Sequence, residues 1–178
     1  MRQFDNRLEI IGGFRRWYGP IFPVAIIEKL TIKGVFMNQS NQNLAALLGR
    51  NLLAAVFVLS GINKLGNFAG TAAFMSSAGL PLAELLLVTT IAIELVCGLM
   101  LVIGWQTRFA ALVLLLFMIP VTAIFHNPWA ATDAALAQQQ MIHFLKNIAI
   151  MGGLLNVLAF GAGSYSVEAR RMRWPQQI

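Results

Sequence analysis

From about residue 44 onward the chain alternates long apolar runs with short polar breaks. The runs cover residues 47–68, 80–103, 109–125 and 141–162. The hydrocarbon core of a bilayer is crossed by about 20 helical residues, with a usual range of about 17–25. Each run is of that order, and each has a physical reason to stop. Pro81 sits at a tolerated first-turn position and Gly104 is a helix-ending glycine. Arg108 and the sequence His126-Asn127-Pro128 bracket the third run, and a Gly-Ala-Gly-Ser exit over 161–164 closes the fourth. The runs show no period-two alternation, which disfavours a membrane β-barrel. They also lack the polar face that a helix of a water-soluble protein presents. The pattern therefore predicts an all-α protein, a four-helix transmembrane bundle over residues 44–165.

The ends read differently. Residues 1–43 are polar, basic and interrupted by Gly12, Gly13, Gly19, Pro20 and Pro23. The moderately apolar stretch 21–36 is cut by Glu28, Lys29 and Lys33, so it is expected to be a cytoplasmic or interfacial arm and not a fifth span. Met37 is an alternative start of the mature chain. Residues 166–178 form a basic tail. Residues 126–140, with Asn-Pro and Thr-Asp turn signals followed by AALAQQQ, are expected to make a turn and then a polar extension of the fourth helix.

Composition sharpens this picture. The chain is 58% hydrophobic and only 11% charged, too few charges to solvate a water-facing surface of this length. The net charge of +6 is carried by residues that flank apolar runs, so it signals orientation and anionic lipid head groups, with no nucleic-acid partner expected. Six basic residues precede Arg50, Arg108 follows the second run, and Arg170, Arg171 and Arg173 follow the fourth. The positive-inside rule then places both termini and the turn between the second and third runs in the cytoplasm of a bacterial cell, with the bundle in its inner membrane. Trp105, Trp129 and Trp174 stand at span ends, where aromatic anchors belong. Cys97 is the one cysteine, which excludes an intrachain disulfide and a Cys-x-x-Cys redox pair.

The charges inside the apolar runs are the candidate chemistry, because each costs on the order of 2.5–3.5 kcal/mol in lipid. At about 1.5 Å per residue, Lys64, Lys146 and Asn147 lie about 21–23 Å from the cytoplasmic edge and Glu94 lies about 15 Å from it. His126 and His143 lie slightly further out. Asn63, Lys64, Glu94, His126, His143, Lys146 and Asn147 therefore form a candidate ligand-binding cluster in the bundle interior. Glu94 is expected to be ionised and paired with Lys64 or Lys146, or else protonated and bonded to Ser60 or a backbone carbonyl. Such a pair either fixes helix register alone or serves a binding or proton-handling site for a small lipophilic molecule. The two histidines have only Asp133 as a nearby carboxylate, so no metal is expected. They fit better as donors to a head group or a quinone ring. Pro120 frees the carbonyl of Leu116 and predicts a kink in the third span.

Several pieces, in this order, resemble the DoxX family of small bacterial and archaeal membrane proteins. They are LSGINKL (59–65), AGLP (78–81), IELVCGLMLVIGWQTRFAAL (93–112), FHNP (125–128), QQMIHFLKNIAIMGGLL (139–155) and AFGAGSYSVEAR (159–170). The resemblance covers about residues 45–170 and implies a four-helix membrane bundle. Its relatives include a subunit of an archaeal thiosulfate:quinone oxidoreductase and a membrane partner in a mycobacterial oxidoreductase complex. It thus implies a redox-associated subunit, linked to quinone or to thiol and sulfur chemistry, working with a partner redox protein or as a homo-oligomer. No cofactor motif is encoded, and a bound quinone is the cofactor the resemblance suggests. The residues leave open a non-enzymatic assembly or stability subunit and a small transporter or permeability factor.

Overall fold

The computed structural model describes residues 38–131 and 133–173. The arm expected over 21–36, the alternative start at Met37 and the anchor Trp174 lie outside them. Four long helices carry the apolar runs: α1 (Gln39–Gly66), α3 (Ala83–Ile103), α4 (Thr107–Phe125) and α5 (Ala134–Phe160). Two short helices accompany them, α2 (Phe68–Ser77) and α6 (Val167–Arg173), and a 3-10 turn at Pro128–Ala130 joins α4 to α5. All four long helices are long and apolar enough to cross a membrane.

The distribution of polarity is inverted relative to a protein in water. Leu52, Leu59, Leu65, Leu85 and Leu145 are exposed, while Arg50, Glu94, Thr107 and Thr122 are buried. Exposed leucines lose nothing in hydrocarbon, whereas a charge must be taken inside and satisfied. With 28 and 27 residues, α1 and α5 exceed the hydrocarbon thickness, each being about 40 Å long against about 30 Å. Their surplus is polar: Gln39 to Asn43 begin α1, inside the segment assigned above to the arm, and the AALAQQQ stretch begins α5. Asp133 caps α5, its carboxylate accepting from the Leu136 N–H at 3.2 Å.

Small residues bring the backbones together. A Cβ on Gly98 of α3 would stand 2.8 Å from Val58 of α1, and one on Gly61 of α1 would stand 2.8 Å from Leu95 of α3. Gly153 of α5 meets Leu53 of α1 in the same way, at 2.9 Å. Ala54 and Phe57 of α1 pack with Cys97, Met100 and Leu101 of α3, Ala110, Ala111, Leu114 and Met118 of α4, and Leu154 of α5 in one core. The contacts thus link all four spans, with glycine at the tightest approaches, as van der Waals packing in lipid favours.

One element differs from the sequence expectation. The first span ends at Gly66, and Phe68, read as its last residue, together with residues 69–77, read as connection between spans, forms α2, which lays Phe68, Ala72 and Met75 on Ala83, Leu87 and Ile91 of α3. Those three positions are spaced i, i+4, i+7, the stripe of a helix with one buried face. The end of the bundle that holds the α3–α4 turn is tied by Arg50. Arg50 is 2% exposed, and its guanidinium donates to the carbonyls of Ala162 and, at 3.0 Å, Tyr165. The opening of the expected basic tail is also ordered, because the Glu168 N–H of α6 returns to the Gly104 carbonyl at 3.0 Å.

Candidate functional site

Glu94 sits mid-way along α3 on its buried face, 4% exposed. The Gly61 contact brings α1 close enough for Lys64, near the end of that helix, to reach it. Lys64 Nζ donates to both carboxylate oxygens of Glu94, at 2.9 and 3.0 Å. Ser60, one turn earlier on α1, donates to Glu94 Oε1 at 3.2 Å and accepts from Lys64 Nζ at 2.6 Å. The three side chains form a closed triangle in which the carboxylate and the ammonium are neutralised and hydrogen-bonded together. That is the arrangement a buried pair needs in order to offset its desolvation.

The triangle is not sealed by packing. It opens on a cavity of about 450 Å³ whose walls include Phe57, Phe74, Phe117, Met118 and Phe125. Helix α2 contributes Thr71, Phe74 and Met75, and Phe74 stacks on Phe125 of α4 with ring centroids 5.5 Å apart. His126 and His143 also line the cavity, their rings stacked at 5.0 Å and 18°. His126 Nδ1 lies 3.1 Å from Gln140 Oε1, so the polar start of α5 orients the imidazole. Four of the residues proposed from sequence therefore border one space: Lys64, Glu94, His126 and His143.

The remaining three do not line it. Asn63 and Lys146 are exposed. Asn147 donates to Thr122 Oγ1 at 3.0 Å, and Thr122 in turn donates to the Met118 carbonyl at 2.7 Å, a link that joins α5 to α4 below Pro120. Helix α4 runs through Pro120. The sequence reading did not find the aromatic walls, Gln140 or the contribution of α2. Among the described residues no three His, Cys, Asp or Glu side chains converge as a metal centre would require. Cys97 is buried in the core, away from the cavity lining.

A bundle of four apolar helices of spanning length, with an apolar-walled, polar-tipped interior space, defines a multi-pass integral membrane protein. The DoxX family profile matches residues 45–127. The chain is 29% identical over 124 residues to inner membrane protein YphA of Escherichia coli, covering 70% of this chain and 88% of that protein. It is 32% identical over 127 residues to inner membrane protein YqjF of the same organism, covering 71% and 92%. Similarity also reaches a Surfeit locus protein 4 homolog of Drosophila melanogaster, at 26% over 144 residues, 73% of this chain and 50% of that one. No solved structure matches the chain at a significant level. The chain belongs to the DoxX family.

Proposed function

We propose that this DoxX protein resides in a bacterial inner membrane, as the names of its Escherichia coli relatives say of them, and binds a lipophilic molecule with a polar ring, of the quinone class, as a redox-associated subunit. One observation supports the reading above the others: an interior ion pair borders a cavity with aromatic walls and a stacked histidine pair. Lys64 and a neutral imidazole are hydrogen-bond donors of the kind a ring carbonyl accepts. Phe57, Phe74 and Phe117 offer faces for a flat ring and keep water out. Glu94, Lys64 and the imidazoles are groups able to hold and pass protons beside such a ring. Bound quinone supplies two-electron, two-proton redox chemistry, and the electrons come from a partner redox protein.

Purification in mild detergent, followed by solvent extraction and quantification of quinone per mole of protein, tests this. Wild type is expected to retain quinone near one mole per mole. Glu94→Gln and His126→Ala, each with a normal thermal unfolding profile, are expected to retain about tenfold less, as the loss of a charged or well-oriented hydrogen-bond partner implies. Wild type without quinone, or variants that keep it, overturns the reading.

A second reading, a non-enzymatic assembly or stability subunit, draws on the same triangle. Ser60, Lys64 and Glu94 satisfy one another where Gly61 brings α1 onto α3, which is what a pair that only fixes helix packing does. A stable protein partner in the absence of any extracted small molecule favours it.

A further inference from the structure

At the opposite end of the bundle from the ion pair, the exit from α5 builds a second cleft that the proposed quinone site does not use. Its volume is about 430 Å³, and Arg108, Phe160, Gly161, Gly163 and Glu168 line it. Arg50 shapes it from behind. By drawing the carbonyls of Ala162 and Tyr165 inward, the buried guanidinium turns the N–H of each following residue the other way, because the peptide unit is planar and trans. The N–H groups of Gly163 and Ser166 thus face away from Arg50, and neither has an acceptor among the described residues. Gly161 and Gly163 hold φ of +79° and +75°, which glycine adopts without steric cost, and the Gly161 N–H closes α5 on the Val157 carbonyl, so the Gly163 N–H is the backbone donor left at the turn. A Cβ on Gly161 would press on Arg108 Nε at 3.3 Å, so glycine is what admits the Arg108 side chain alongside the turn.

The cleft carries both signs of charge, and they are not paired with each other. Arg108 makes one hydrogen bond, to the Ala159 carbonyl at 3.3 Å. Glu168 is anchored by its own N–H on Gly104 and by Thr107 Oγ1, which donates to its Oε2 at 3.2 Å. The Lys64–Glu94 contact is the salt bridge among the described residues, so Arg108 and Glu168 border one space without closing on one another. Separated, fixed charges of opposite sign fit a zwitterion. The depth says where that zwitterion comes from. Arg108 is the second residue of α4 and Phe160 the last of α5, and Phe160 is 79% exposed. Both stand at a span end, at the level of lipid head groups.

We infer that this cleft binds the head group of a phospholipid that carries a primary ammonium, its phosphate on Arg108 and the Gly163 N–H and its ammonium on Glu168. A phosphoethanolamine head group has that chemistry. A choline head group presents the same charges but no N–H to donate to the carboxylate, and a glycerol head group presents the phosphate alone.

Native mass spectrometry of the purified full chain, reconstituted in mixed micelles with phosphatidylethanolamine, phosphatidylcholine and phosphatidylglycerol in turn, tests the assignment. Wild type is expected to retain one phosphatidylethanolamine about tenfold more than phosphatidylcholine, the factor that one charged hydrogen bond confers. Arg108→Gln is expected to lose all three lipids equally. Glu168→Gln, which keeps an acceptor for Thr107, is expected to abolish the preference for ethanolamine over glycerol while keeping the phosphate contact. Arg170→Gln, on the exposed face of α6, is the control for general basic attraction and is expected to bind as wild type. Competition by millimolar soluble phosphoethanolamine or inorganic phosphate would assign the cleft to a free phosphate compound and overturn the lipid source. Equal retention by wild type, Arg108→Gln and Glu168→Gln would overturn the site itself.

Discussion

Glu94 shows what a single buried charge demands. In hydrocarbon it must be neutralised by a proton or by a partner, and Lys64 with Ser60 supplies the partner. Removing one member of a buried pair costs about 3–5 kcal/mol in water-soluble proteins, and interhelical polar contacts in lipid average well under 2 kcal/mol. A value between the two should hold here, because the Lys64 side chain is 26% exposed and has room to turn toward the cavity. Glu94→Ala is therefore expected to lower unfolding stability by about 2–3 kcal/mol. The double replacement Lys64→Met with Glu94→Leu should recover most of that loss, since an apolar pair of similar volume needs no neutralising. Reversible unfolding in a detergent mixture measures both. A double variant that is folded yet empty of quinone would separate the packing role of the pair from its role in binding. The depth of these residues was legible in the sequence, because rise per residue is fixed once a span edge is known. Their azimuth was not. Asn63 adjoins Lys64 but lies about 100° around the helix from it, on the exposed side. Lys146 shares the depth of Lys64 yet is exposed and stands outside the cavity lining.

Among the elements, the four spans were legible because a continuous apolar run of this length has one stable solution in lipid. Helix α2 was written in the chain as well, in the spacing of Phe68, Ala72 and Met75, but ten residues cannot span and so the stretch passed for a loop. The cavity depends on α2 for Phe74 and Met75, which is why its aromatic walls were invisible until the helix was placed. The glycines within the spans give a contrast that tests the packing. Gly98→Ala places a methyl 2.8 Å from Val58 Cγ2, a β-branched side chain with little freedom to move, and 3.4 Å from the Val58 backbone N. A loss of about 1–3 kcal/mol is expected from the overpacking. Gly152→Ala on α5 meets nothing within 4 Å and should be neutral or stabilising by up to about 1 kcal/mol through helix propensity. Thermal unfolding of the two variants in one detergent compares them directly, and a Gly98→Ala protein as stable as Gly152→Ala would mean that α1 and α3 do not approach this closely.

For the whole molecule, the chain path gives a bundle with two unlike ends. One end gathers Arg50, Arg108, Arg170 and Arg171. The other holds the α4–α5 connection, in which Asp133 is the charged residue among the described positions of 126–140. The positive-inside rule predicts that the arginine end faces the cytoplasm. The single thiol makes this measurable, because Cys97 is 5% exposed and buried in the core, so background labelling is low. Two exposed positions at opposite ends serve as reporters: Gln106 in the α3–α4 turn and Ala130 in the 3-10 turn. Gln106 has a φ of +45°, so cysteine there is as strained as the native residue and not more so. In intact spheroplasts a membrane-impermeant maleimide is expected to label Ala130→Cys and to leave Gln106→Cys unlabelled until the membrane is permeabilised. The reverse pattern would turn the bundle over. It would also move the Arg108 and Glu168 cleft to the outer leaflet, where the same head-group chemistry would have to be met by a different lipid population.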